Sequence, residues 1–245
     1  MHRRSFVCAA ALLAAAGARA QVPNLDDIMK SAGKLPAAKG GSGSEKTDAA
    51  GIKEALAVGT ERAVKSLAKP NGYFGNAAVK ILMPGSLQKV AEVAKMAGYQ
   101  KQVDEFILSM NRAAEAAVPV AARYFGDAIR SMTLDDARAI VTGGNTAATD
   151  FFRRKTSDQL YQAFKPTVSE KVDQVGATRA YKELMGRYQA VPMMMGGSSS
   201  SLDLDDYVTR KALDGLFHTV GEEEKRIRTN PAARTTDLLK QVFGK

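Results

Sequence analysis

Three polar clusters carry the side chains of this chain that could do chemistry. The first is Asn111, Arg112 and Glu115, set inside Ser109–Pro119, an otherwise apolar run. The second is Thr149, Asp150, Arg153 and Arg154, and the third is Asp205, Asp206 and Tyr207, followed by Arg210 and Asp214. Helical spacing puts acids and bases of one cluster within reach of each other. One outcome is structural: acids and arginines pair between helices and fix how they dock. Another is a shared groove, where two or more clusters converge on a ligand or peptide. Paired carboxylates there, drawn from Glu115, Asp150, Asp205 and Asp206, would suffice for glycan hydrolysis, which needs two acids at the right separation. Docking is the simpler role for residues so spaced.

Most other catalytic sets are missing. Cys8 is the only cysteine, and the two histidines are His2 and His218. Cys8 and His2 fall in a targeting segment, so the mature chain keeps His218 and no thiol. That excludes disulfides, thiolate catalysis and zinc sites of ordinary composition. His218, within Leu216-Phe217-His218, reads as a half-buried structural residue. There is no phosphate loop, Gly-x-Ser-x-Gly elbow or dinucleotide fingerprint. Leu202–Tyr207 has the acids of a calcium loop, but Val208 and Asp214 stand where glycine and glutamate are required. Helix capping by Asp203, Asp205 or Asp206 explains those acids. Met193-Met194-Met195 offers consecutive thioethers on a flexible loop, which do not converge on a soft metal. No cofactor and no metal is expected. Glu222-Glu223-Glu224 reads as a solvated face pairing with Lys225, Arg226 and Arg228.

The N-terminus has the layout of a secretory signal peptide over residues 1–20. His2, Arg3 and Arg4 form a basic region, Phe6–Ala16 an apolar run, and Ala18-Arg19-Ala20 a small-x-small cleavage site. Arg3-Arg4-Ser5-Phe6-Val7 resembles a twin-arginine signal, but an ordinary basic region is preferred, so Sec export is expected. Cys8 stands at the start of the apolar run instead of after it and follows the bulky Val7, so no lipid anchor is expected. No later stretch is long and apolar enough to be a transmembrane helix. The mature protein is therefore expected to be periplasmic or secreted. The formal charge is +9, from 35 Lys+Arg against 26 Asp+Glu. It falls by three when Arg3, Arg4 and Arg19 leave with the signal. The remaining charge suits weak association with an anionic envelope component. Another periplasmic protein is the alternative partner. Nucleic acid is disfavoured, because no recognition motif is present.

These residues need elements to position them. Residues 21–47 read as a flexible Gly/Ser/Lys-rich linker. Residues 48–245 read as one all-α, bundle-like domain, with no strand-like alternation. Ile52, Leu56, Ala63 and Leu67 share a helix face. Lys69-Pro70-Asn71-Gly72 is turn chemistry, after which Tyr73 and Phe74 plug the core. Asn76–Met83 is a short helical or extended piece, and Ser86 can cap the next helix, which Gly98 ends. Gln100–Met132 is the longest helix candidate, which Pro119 kinks or divides. Val103, Phe106, Ile107, Met110, Ala114 and Ala117 make its main apolar stripe. Arg112 lies almost opposite that stripe, with Glu115 between, while Leu108 and Ala116 also occupy the back. This helix is therefore expected to be contacted on both sides, with Asn111, Arg112 and Glu115 at least partly buried. Asp150, Asp205 or Arg153 are the expected partners. Thr133 and Asp136 form a near capping box, and Gly143-Gly144 ends the helix it starts. A new helix restarts at Thr156 or Ser157, Pro166 bends it, and Gly176 ends it. Arg179–Tyr188 is a further helix. Asp203 or Asp205 caps a long helix that Asn230-Pro231 breaks, and Leu238–Phe243 lies on a last one.

Four stretches resemble one family: Ser109–Pro119, Thr149–Ser157, Leu204–Phe217 and Asn230–Lys240. It is an uncharacterised bacterial family catalogued as domain of unknown function 4197, and the similarity runs over Gly51–Lys245. The resemblance implies an exported helical protein. It brings no activity, cofactor or catalytic residue. The expected function is a non-enzymatic ligand- or protein-interaction module. A carboxylate-dependent hydrolase acting on envelope polymer, or a purely structural envelope protein, is the alternative.

Overall fold

Amphipathic periodicity becomes helix through most of the residues that the computed structural model describes, 43–174, 203–234 and 240. Among them lie seven α-helices: α1 Gly43–Leu67, α2 Gln88–Met96, α3 Gln100–Ala117, α4 Ala121–Ser131, α5 Leu134–Thr142, α6 Ala147–Gln174 and α7 Leu204–Thr229. The described residues contain no strand, so the fold is all-α, as expected. Helix α1 begins at Gly43, so the last five residues of the expected linker are helical backbone. The expected helix Arg179–Tyr188 and the Met193–Ser201 loop lie outside the described residues, as does most of Leu238–Phe243.

Helix α7 packs along α6 and α1, α3 crosses α6 and α7, and α4 and α5 close over α1. Their apolar faces merge into one core that includes Ile52, Phe106, Met110, Phe125, Phe152, Phe164, Leu216 and Phe217. Phe125 stands at its centre, with ring centroids 5.0 Å from Phe152 and 6.1 Å from Phe217. Burying each such side chain contributes about 2 kcal/mol.

Local chemistry sets most of the boundaries. Pro119 divides α3 from α4 through a 3-10 turn at Val118–Val120. The Thr133 hydroxyl accepts from the Asp136 N–H at 3.1 Å, and the Asp136 carboxylate accepts from the Thr133 N–H at 3.0 Å. That is a complete capping box with aspartate in the glutamate position. Gly98 closes α2 at φ 88°, a left-handed conformation suited to glycine. Asp203 caps α7 by accepting from the Asp206 N–H at 2.8 Å. Helix α2 has no side-chain cap; a 3-10 turn at Gly85–Leu87 leads into it, so Ser86 does not cap it.

Helix α6 departs from expectation. It runs unbroken for 28 residues, with no restart at Thr156 or Ser157, and Pro166 lies inside it. The two hydroxyls donate one turn back, to the Phe152 and Arg153 carbonyls, instead of capping a new helix. Leu160, Phe164, Val168 and Val172 stay buried on both sides of Pro166. That continuous packed seam outweighs the hydrogen bond the proline removes.

Between α1 and α2 the chain crosses the bundle as a strap, residues 68–84. It turns at Asn71, which has φ 67°. A Cβ on Gly72 would lie 2.3 Å from the Leu67 carbonyl oxygen, so only glycine fits there. Tyr73 is fully buried, as expected, whereas Phe74 is half-buried with the Lys80 ammonium 4.0 Å above its ring. From Lys80 to Pro84 the strap is extended, with Ile81 and Met83 inward and Leu82 59% exposed.

Candidate functional site

The first cluster clamps the strap onto α3. Asn111 is 0% exposed. Its Oδ1 accepts from the Ile81 N–H at 2.9 Å, and its Nδ2 donates to the Ile81 carbonyl at 2.8 Å. One amide side chain thus pairs with an extended residue as a neighbouring strand would. Glu115, 4% exposed, accepts the consecutive N–H groups of Tyr73 and Phe74 at 3.1 and 3.2 Å. Its second oxygen takes Arg112 Nη1 at 2.6 Å, and Arg112 Nη2 reaches Asn71 Oδ1 at 2.9 Å. The expected burial of Asn111 and Glu115 is observed, and Arg112 is partly exposed. The expected partners are not: Asp150 accepts from Thr146, Arg153 lies over the Phe217 ring, and Asp205 sits in the first turn of α7. The strap presents backbone N–H groups that must be satisfied once buried, and Glu115 is their acceptor. The signal in the sequence was the Gly72-Tyr73-Phe74 turn, a buried turn with donors to place.

Tyr73 anchors the same strap from below. Its hydroxyl donates to the Ala212 carbonyl on α7 at 2.6 Å. Burial, and then the Glu115 charge, raise its pKa far above the ordinary tyrosine value.

The third cluster divides. Tyr207 also holds the strap, donating to the Leu82 carbonyl at 3.0 Å, and burial raises the pKa of its hydroxyl. Asp206 faces α6, where it accepts from the Tyr161 hydroxyl and from Arg210 Nε at 3.0 Å. These bonds, Arg210 first, lower its pKa. The Arg210 guanidinium lies 5.1 Å over the Tyr161 ring. Lys165 pairs with Asp203 at 3.1 Å, beside the α7 cap. Asp205 is half-buried in the first turn of α7, at the positive end of the helix dipole.

The second cluster sits at the other end of the antiparallel α6–α7 pair. Asp150 is exposed and accepts from the Thr146 hydroxyl at 3.2 Å. Arg153 lies 4.6 Å over the Phe217 ring. Arg154 is exposed; the hydrogen bonds with Thr133 lower the Asp136 pKa, and the charges of Lys155 and Arg154 add to that. Thr149 is buried, donating its hydroxyl to Glu224 at 2.8 Å. From Asp150 to Tyr161, which binds Asp206, is roughly 16 Å along α6. The clusters therefore do not converge. Asn111, Arg112, Glu115 and Tyr207 meet at the strap, and Asp150, Arg153 and Arg154 lie elsewhere.

Glu224 corrects a second reading. Glu223 and Glu224 do pair with Arg226 and Arg228, at 2.6 and 2.8 Å. Glu224, however, is only 8% exposed. Its two oxygens accept the Ala148 and Thr149 N–H groups at 2.9 and 2.8 Å. It caps α6 from α7, taking two of the donors at its first turn. Arg228 in turn donates to the Ile140 carbonyl near the end of α5 at 2.8 Å. Sequence spacing shows the pairing but not the burial, because the partner is 75 residues away. His218, expected half-buried, is exposed.

Two concavities accompany these networks. One lies among α1, α5, α6 and α7, lined by Leu56, Gly59, Ile140, Phe152, Glu224 and Ile227 among others. Its volume of about 20 Å³ is room for about one water. The other is an open surface groove of about 550 Å³ along the first half of α3, lined by Phe74, Gly98, Gln100, Lys101, Asp104, Glu105 and Leu108. The strap turn covers the back of α3 from Asn111 to Glu115, and the groove is where that cover stops. Among the described residues, no group of three His, Cys, Asp or Glu side chains is placed to hold a metal ion. No described helix is long and apolar enough to cross a membrane.

A family model described as "Protein of unknown function (DUF4197)" matches residues 42–244. No curated protein and no solved structure matches.

Proposed function

The chain belongs to the DUF4197 family, whose description assigns no activity, and we propose that it is an exported, non-enzymatic module that binds a segment of another periplasmic protein. The open groove on α3 carries this reading. Its floor is the half-buried Phe74 and Leu108, and its rim is the exposed Gln100, Lys101, Asp104 and Glu105. An apolar centre with a polar rim is the anatomy of a non-obligate protein interface. The rim carboxylates disfavour an anionic polymer as occupant. Export rests on the signal-like residues 1–20.

The buried carboxylates support the non-enzymatic part. Glu115 and Glu224 are each held by backbone donors and an arginine. Asp206 is held by Arg210 and Tyr161. A hydrolytic pair needs one carboxyl able to carry a proton and another able to attack or activate water. Groups fixed by cationic donors are poor choices for the first role.

The test is affinity capture from periplasmic extract with the wild type, Leu108→Arg and Val141→Arg. Leu108 lines the groove; Val141 is an exposed apolar residue of α5, away from it. A specific protein identified by mass, lost about ten-fold or more with Leu108→Arg and kept with Val141→Arg, is the expected result. Equal capture by all three proteins removes the groove from the reading. Release of fragments from purified peptidoglycan would show the protein to be an enzyme.

A further inference from the structure

Asn71-Gly72 is the only Asn-Gly pair in the chain, and it lies at the turn where the strap leaves α1. Asparagine before glycine is the pair most open to intramolecular attack, because glycine adds no side chain to hinder it. We infer that Asn71 is a deamidation site that the strap clamp holds shut. In the reaction the Gly72 backbone nitrogen loses its proton to solvent base and attacks Asn71 Cγ. An N–Cγ bond forms, the Cγ–Nδ2 bond breaks, and ammonia leaves. Water then opens the resulting succinimide at either carbonyl, giving aspartate or isoaspartate.

Three features of the turn oppose that step. The nucleophile is engaged, since the Gly72 N–H donates to the Lys69 carbonyl at 2.9 Å. The electrophile is fixed, since Arg112 Nη2 holds Asn71 Oδ1 at 2.9 Å. Arg112 is itself fixed by Glu115, which also grips the next two backbone N–H groups. The product also fits poorly. Isoaspartate adds a backbone atom beside Gly72, where even a Cβ would meet the Leu67 and Ser66 carbonyl oxygens at 2.3 and 2.7 Å. Deamidation therefore requires the strap turn to open, and isoaspartate keeps it from closing again. Asparagine is among the thermolabile residues whose loss limits a protein's lifetime, and here the clamp sets that rate.

The experiment follows Asn71 by mass spectrometry of the Ser66–Lys80 tryptic peptide, scoring conversion to acid and isoaspartate at mildly alkaline pH. The purified protein is incubated across a urea series, and the free synthetic peptide gives the reference rate. The native chain should react about ten-fold more slowly than the peptide or slower, with the rate rising in urea before helical circular dichroism changes, as sub-global opening requires. A native rate equal to the peptide's overturns the proposal. So does a rate that stays flat until the helices unfold. Arg112→Gln, confirmed folded, should react faster in native buffer, and an unchanged rate removes Arg112 from the clamp. If that variant does not fold, the wild-type urea series decides alone.

Discussion

Glu115 and Glu224 solve one problem at two places. Each is a nearly buried carboxylate that accepts two consecutive backbone N–H groups and pairs with one arginine. Removing such an acid takes the ion-pair partner from the arginine and leaves two backbone donors without their acceptor. Glu224→Ala should cost about 3 kcal/mol, and Glu224→Gln less, because the amide oxygen still accepts. Asn111 acts the same way without charge. Asn111→Ala orphans both backbone groups of Ile81, at about 3 kcal/mol in total. Asn111→Asp should be worse than Asn111→Ala, because the carboxylate cannot donate to the Ile81 carbonyl and adds a charge at a site with no exposure. Urea denaturation followed by circular dichroism checks the order. If Glu224→Ala costs under about 1 kcal/mol, its cap on α6 is marginal.

At the scale of elements, glycines mark where the helices and the strap come closest. Gly215 faces Tyr73: an added Cβ would sit 2.6 Å from Tyr73 Cε1 and 3.1 Å from Val79 Cβ. Gly59, in the middle of α1, has room. Its added Cβ would meet Ile227 Cδ1 at 3.5 Å, an ordinary contact beside the small apolar cavity. The same substitution should therefore act in opposite directions. Gly59→Ala removes a helix-interior glycine and should stabilise by about 0.5–1 kcal/mol. Gly215→Ala pushes Tyr73 off the Ala212 carbonyl and should cost about 1–3 kcal/mol. Thermal melts of the two single variants decide it, and a raised Tm for Gly215→Ala would mean that the strap is looser than its contacts imply. These elements were only partly legible in the sequence. Pro119, Thr133, Gly98 and Asp203 act on neighbours within a few residues, so their roles can be read locally. The unbroken α6 cannot be read that way. Thr156 and Ser157 carry local capping signals and Pro166 removes a helix hydrogen bond, and packing against α3 and α7 keeps one helix through all three.

For the whole molecule, the all-α class was legible because period alone determines it, and the first polar cluster was legible as buried because an Asn and a Glu interrupt an apolar run. The clusters' partners were not, because contacts spanning 30 to 125 residues leave no spacing to read. The same long-range contacts give the folded state an alkaline limit. Tyr73 is fully buried, and its hydroxyl is bonded to a carbonyl and faces the Glu115 charge. Tyr207 is shifted upward as well, by burial. A group whose pKa is higher in the folded state stabilises that state while it stays protonated in both states. That contribution is complete below the unfolded tyrosine value of about 10 and declines as pH rises through it. Stability should thus be level toward neutral pH and fall above about pH 10, with Tyr73 ionising only as the chain unfolds. Tyr73→Phe should cost about 1 kcal/mol near neutrality for the lost hydrogen bond. It should also flatten the alkaline fall, leaving the part due to Tyr207. Urea midpoints between pH 7 and pH 11, read alongside tyrosinate absorbance, make the comparison. If the variant and the wild type lose stability with the same slope above about pH 10, Tyr73 is not the residue that couples the strap to alkaline unfolding.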